Sequence, residues 1–180
     1  RNKVISAVAG AAIGGAVGYS MDNQAKEVAQ SLNTNVNNNP TAALDPNQDL
    51  IVSNTDNYVK IMFRDDMMFE TNSENPTYAA GTKISKITTV LQKYPNTLVQ
   101  VVGHTDSRGS HAYNLALSEK RATNVGNIIN STGIQNQIFS KGCSFDKPIA
   151  LNNSDANMGL NRRVEVYLYP NQQSVIDVCR

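Results

Sequence analysis

The sequence predicts an α/β sandwich, an α+β arrangement with helices packed on one face of a mixed sheet. Three observations predict it. Two strand-like runs flank a polar turn in "DLIVSNTDNYVKIMF". Two stretches of helical period, at about 80–94 and 110–132, each lead into a short strand. The last run, Arg163 to Tyr169, alternates apolar Val164, Val166 and Leu168 with Arg163, Glu165 and Tyr167. The expected order is β-α-β-α-β-β after an initial hairpin strand, with one face of the last strand buried.

The elements follow in order. Arg1 and Lys3 precede an apolar run from Val4 to Val17 that superficially resembles a signal peptide. A start at Arg1 rather than Met reads as a processed or trimmed product. The run is rich in Ala and Gly and carries Gly10, Gly14 and Gly18 at intervals of four, a small-residue pattern that lets helices approach closely. It is shorter than the ~20 apolar residues of a spanning helix. A membrane-associated glycine zipper and a short helix with no membrane role both stay open. Met21, Ala25, Val28, Ala29 and Leu32 keep helical spacing, after which "NTNVNNNPTAALDPNQ" reads as a linker. The expected division is therefore a zipper segment at 1–20, a helix and Asn/Pro-rich linker at 21–48, a main domain at 49–170 and a tail at 171–180.

Within the main domain, "DDMMFETNSENP" is expected to be a loop ending at Pro76, a residue suited to the first turn of a helix. Ala80, Ile84, Ile87, Leu91 and Tyr94 give the next helix one apolar face, and Pro95-Asn96 ends it. "TLVQVV" is continuously apolar, as a strand buried on both faces would be. The second helix ends at Gly133, a C-cap position. "QIFSKG" is a short strand, and "CSFDKPIALNNSDANMGLN" an irregular connection.

Composition narrows the function. Charged residues are 17% of the chain, below the roughly 25% of an average domain, and the net charge is +1. With no Lys/Arg stripe, a nucleic-acid partner is not expected. Cys143 and Cys179 lack CxxC spacing, so neither zinc nor a redox motif is indicated. One disulfide and two separate thiols remain equal readings.

One residue stands out. On the second helix, Leu117, Val125 and Ile128 fall within about 80° of one another, and Arg121 lies between them with Asn114 on the same arc. An inward guanidinium must snorkel or find an acid, because it does not deprotonate. The acid nearest by topology is Asp106, just past the strand "TLVQVV", at the carboxyl-end crevice where α/β sheets tend to bind ligands. Two readings fit. One is a salt bridge stapling loop to helix. The other is a clamp for a zwitterion, the carboxylate taking an ammonium and the guanidinium a carboxylate. Spacing alone does not choose.

The stretch "VVGHTDSRGSHAYNLALSEKRATNV", followed by "NRRVEVYL", resembles the OmpA C-terminal-like peptidoglycan-binding domain, a family that includes the peptidoglycan-associated lipoprotein and flagellar stator B-subunits. The likeness covers roughly residues 58–169. "AVAGAAIGGAVGYSMDNQ" is similar to the glycine-zipper segment of outer-membrane lipoproteins, whose lipidated cysteine lies upstream of it.

The resemblance implies non-catalytic binding of the peptidoglycan stem peptide through its diaminopimelate, with no metal and no cofactor. Asp106 would meet the amine and Arg121 the carboxylate. Asn72, Thr105, Asn114, Leu117, Ser118 and Arg162 would surround the same cleft. It also implies a place at the outer membrane of a Gram-negative bacterium, facing the periplasm, held there by the N-terminal segment or an upstream lipid anchor.

Two departures flank the expected cleft. Gly142-Cys143-Ser144 stands where the family has a Gly-aromatic-Gly turn, and an arginine usual near Met158 is replaced. His104, Asp106 and His111 can also be drawn as a metal site or acid-base dyad, though a further ligand is wanting.

Overall fold

In the computed structural model, which describes residues 9–180 with side chains from Gly18 onward, the hairpin strands β1 (Leu50–Asn54) and β2 (Val59–Arg64) pair antiparallel around the polar turn. Residues 1–8, and side chains as far as Val17, lie outside the described residues. Most of the expected zipper run at 4–19 falls there. Among the described residues no helix is long and apolar enough to cross a membrane.

Strand β3 (Leu98–His104) and strand β5 (Arg163–Tyr169) occupy the middle of a five-stranded sheet ordered β1-β2-β5-β3-β4, with β4 (Ile138–Gly142) at one edge. Only β3 and β4 run parallel; the other neighbours are antiparallel. Helices α1 (Ala9–Ser31), α3 (Tyr78–Leu91) and α4 (His111–Asn130) cover one face. The expected mixed sheet with helices on one side is what forms. The spacing at Met21, Ala25, Val28, Ala29 and Leu32 puts those residues into the same core as Ile61, Phe63, Val101, Val166 and Leu168. Burying a side chain of this size contributes about 1.5–3 kcal/mol, so the three central strands anchor whatever their ends carry.

Three expectations need correction. The connection after β4 is not irregular throughout: Asp155–Asn161 forms helix α5, capped by the Ser154 side chain, which accepts from the Asn157 N–H. A short helix α2 (Asp65–Met68) likewise begins the stretch expected to be a loop. Nor does β5 bury only one face, since all seven of its residues are buried. The Tyr167–Tyr169 end of its polar side is covered by the C-terminal residues Val175, Val178 and Cys179, packed with Tyr58 and Val102, while the Arg163–Glu165 end lies beside the Asn/Pro-rich segment.

The tail is fastened there by a Cys143–Cys179 disulfide, which settles the cysteine question left open by spacing. A cross-link closing a loop of this length typically stabilises a domain by about 2–4 kcal/mol. On the same far face, buried Arg64 donates to the carbonyls of Ala43, Asp45, Gln48 and Leu160. It thereby holds the Asn/Pro-rich segment against the sheet.

Candidate functional site

Strand register assembles the site. Arg64 at the end of β2, Arg163 at the start of β5 and His104 at the end of β3 are Cα partners in one row. Both β2 and β3 run antiparallel to β5, so their carboxyl ends meet at the same sheet edge. The residues just beyond that row are Asp65, Arg162 and Thr105-Asp106, and the Asp65 N–H donates to the Arg162 carbonyl at 3.0 Å. Helix α4 closes the space from one side. It comes close because Gly103 and Gly142, partners across β3 and β4, carry no Cβ. A Cβ on Gly103 would stand 2.3 Å from the Ser118 carbonyl oxygen, and one on Gly142 2.4 Å from the Glu119 nitrogen.

Arg121 does face inward, but its acid is not Asp106. Its Nη1 donates to Asp65 Oδ1 at 2.5 Å, its Nε donates to the Ser73 carbonyl at 2.9 Å, and its guanidinium lies 4.5 Å from the centre of the Phe69 ring. The expected Asp106–Arg121 pair is thus replaced by Asp65–Arg121. Asp65 directly follows β2, whose end the sheet topology brings under α4. Burial raises the Asp65 pKa and lowers that of Arg121, and in each case the partner's charge works the other way. Asp65 and the Ser73 carbonyl together take two of the guanidinium's five donors.

Asp106 is served by other cations. Its Oδ1 accepts from the Arg108 backbone N–H at 2.9 Å. Its Oδ2 accepts from Arg108 Nη2 at 2.9 Å and Nε at 3.2 Å, and from Arg162 Nη1 at 2.8 Å. Burial alone would raise its pKa, but these bonds outweigh burial and hold the carboxyl below the usual aspartate value. Arg162 also reaches toward Asp65, with Nε 3.9 Å from Oδ2, and so ties the two acids together.

Seven of the eight expected residues line one cleft of about 430 Å³: Asn72, Thr105, Asp106, Asn114, Leu117, Arg121 and Arg162. Ser118 does not; it is fully buried, and its Oγ accepts from the Ser144 N–H and donates to the Leu115 carbonyl. Asn114 lines the cleft but spends its amide on the Arg108 and Ser110 carbonyls, fixing the loop before α4. Asn72 sits exposed with φ 62, in the left-handed region that Asn tolerates best among residues with a Cβ. The sequence reading missed Asp65 and Arg108. The signal for Asp65 was an acid placed directly after β2, and for Arg108 a basic residue two positions past Asp106.

The departure at Gly142-Cys143-Ser144 is structural in effect. Ser144 adopts φ 53, a conformation that glycine enters more readily. Three hydrogen bonds hold it there: its carbonyl accepts from the Thr105 N–H, its N–H donates to Ser118 Oγ, and its Oγ donates to the His111 carbonyl. The two histidines serve different acids, His104 Nε2 lying 2.9 Å from Glu165 Oε1 and His111 Nε2 2.9 Å from Asp146 Oδ1. Among the described residues no group of three His, Cys, Asp or Glu is disposed to hold a metal.

The chain is similar to known proteins over this region. A family model described as the OmpA family matches residues 68–162. The protein named "Probable lipoprotein YiaD" of Escherichia coli (strain K12) is 32% identical over 159 residues, covering 88% of this chain and 67% of that one. The peptidoglycan-associated lipoprotein of Legionella pneumophila is 38% identical over 76 residues, 42% of this chain and 43% of its own length. Among solved structures, the cell wall anchor of the T6SS from Pseudomonas aeruginosa has a TM-score of 0.62 at 27% identity, over 69% of this chain and 90% of that one. The chain therefore spans about two thirds of the first relative and less than half of the second.

Proposed function

This chain belongs to the OmpA family, and we propose that it is a non-catalytic module that binds peptidoglycan and holds the outer membrane, or an envelope assembly, to the cell wall. The ligand group is the diaminopimelate of the stem peptide. Its ammonium meets Asp106, its carboxylate meets the free donors of Arg121, and Leu117 packs on its methylene stem. Arg162 orients the Asp106 carboxylate, while Asn114 shapes the loop, Thr105 stands at the loop's start, and Asn72 lies at the rim. Ser118 supports the fold behind the cleft. The domain works in the periplasm beside the outer membrane, held by an N-terminal segment or an upstream lipid anchor. The main unit is 49–170, with 1–20, 21–48 and 171–180 as its zipper, linker and tail.

The observation that carries this reading is the balance of charge in the cleft, where Asp65, Asp66 and Asp106 face Arg108, Arg121 and Arg162. A cleft with both signs and no excess of either suits a small zwitterion better than a polyanion. The names of the relatives support the same partner, one being peptidoglycan-associated and another a cell wall anchor. Few charge-assisted contacts imply roughly micromolar-to-millimolar affinity per site. Many copies on one sacculus then supply the hold.

A second reading draws on the same geometry. Both Asp106 and Arg121 already have partners within the chain, as a purely structural envelope protein would arrange them. Co-sedimentation separates the two. The chain is expected to pellet with sacculi whose stem peptides carry diaminopimelate, to be released by free stem peptide, and to leave the sacculi uncut. Equal recovery with lysine-type sacculi would remove the diaminopimelate assignment. No recovery on either would favour the structural reading, and release of muropeptides would make the protein an enzyme.

A further inference from the structure

We propose that Arg108 is an internal stand-in for the ligand's ammonium group, covering the Asp106 carboxylate in the free chain and swinging toward Asp155 when a ligand amine takes its place. The inference rests on the reading of the cleft as a zwitterion site and adds the residue against which the ligand competes.

The geometry separates a fixed partner from a movable one. The Asp106 side chain is 7% exposed and that of Arg108 59%. Asp106 is held from below by the Arg108 backbone N–H and from the side by Arg162, neither of which depends on the Arg108 guanidinium. The main chain of Arg108 is fixed independently, because its carbonyl accepts from Asn114 Nδ2 at 2.7 Å. The Arg108 side chain can therefore leave Oδ2 without moving the loop, and the carboxylate it leaves keeps its orientation.

A landing place is present. Asp155, the first residue of α5, has a side chain that is 97% exposed, and its Oδ1 lies 4.0 Å from Arg108 Nη1. One arginine thus lies between a buried acid and an exposed one. In the free chain it favours the buried acid, where two side-chain hydrogen bonds form. A primary ammonium is compact and presents three donors, so it can take the Oδ2 position that the guanidinium fork vacates. The freed guanidinium then pairs with Asp155 and stays solvated.

Two consequences follow for selection. Affinity is the difference between an amine on Asp106 and Arg108 on Asp106, which keeps single-site binding weak. A ligand without an amine gains nothing from Asp106 and leaves Arg108 in place. The arrangement therefore admits zwitterions and turns away simple anions that Arg121 alone would attract.

The test is a titration of the full chain with a stem tripeptide ending in diaminopimelate, followed by NMR on wild type, Arg108→Ala and Asp155→Asn. The Arg108 side chain is exposed, so Arg108→Ala is expected to fold as wild type does. It should bind the peptide about two- to fivefold more tightly, the ratio corresponding to one exposed ion pair. Asp155→Asn should bind slightly more weakly, and the wild-type Arg108 Nε resonance should move on peptide addition. Arg108→Ala binding equally or more weakly, with wild type still binding in the cleft, would overturn the stand-in role and leave the site reading intact. Binding by neither protein would remove both. Binding by Arg108→Ala alone would mean that the stand-in holds the site shut, and would support the proposal.

Discussion

Two consecutive arginines, Arg162 and Arg163, enter two charge clusters of different character. Arg163 belongs to β5, and strand alternation sends it to the far face with Glu165. There Glu165 accepts from Arg163 Nε at 3.1 Å and from Tyr167 Oη at 3.2 Å, and pairs with His104 at 2.9 Å. Every member of that cluster is buried: Tyr167 packs under the C-terminal residues, and Arg163 and Glu165 lie at the floor of a smaller cleft of about 210 Å³. Arg162 precedes the strand and turns to the cleft, where Asp65, Asp106, Arg108 and Arg121 meet. The second cluster has an exposed member in Arg108; the first has none. Residue types do not separate structure from site here, since both clusters hold acids and arginines. What separates them is whether a small molecule can reach a charge whose present partner is able to leave.

The comparison breaks most easily at Glu165. Burial alone would raise its pKa, yet Arg163 and His104 hold it well below the usual glutamate range. Glu165→Ala leaves Arg163 and His104 without their acid, and it is expected to cost about 3–5 kcal/mol in urea unfolding, the range for breaking a buried pair. A loss below about 1 kcal/mol would mean that the far cluster is not the structural one.

A smaller effect sharpens the same contrast. Burial lowers the pKa of His104 from its ordinary 6.5, more than Glu165 raises it. The unfolded chain therefore takes up this proton first as pH falls, and stability drops below about pH 6.5 by up to ~1.4 kcal/mol per pH unit. Asp65, whose pKa is raised, acts in the opposite sense. Comparing wild type with His104→Gln isolates the histidine. Identical pH profiles would show that His104 is not titrating against the far cluster.

The sequence carried the framework better than the partners. Periodicity places β2, β3 and α4 within a few residues, because each buries a face whose spacing is local. Arg121 was legible as misplaced for the same reason. Its acid was not, because Asp65 lies 56 positions away and arrives only through the β2-β5-β3 order. The covered far face of β5 escaped likewise, since its alternation is that of a half-exposed strand and its cover comes from the chain's last residues and the Asn/Pro-rich segment. Helix α5 was missed because "DANMGLN" is short, carries a glycine and shows no apolar stripe.

The central claim is that the cluster with an exposed member is a ligand site while the wholly buried one is structure, and Asp106→Asn tests it most directly. The amide keeps an acceptor for the Arg108 backbone N–H but loses the charge that an ammonium needs. In a titration with diaminopimelate-containing stem peptide, the variant is expected to lose about 1–2 kcal/mol of stability, less than Glu165→Ala, and to bind at least about tenfold more weakly. A folded Asp106→Asn protein with wild-type affinity, or one destabilised as severely as Glu165→Ala, would contradict the account.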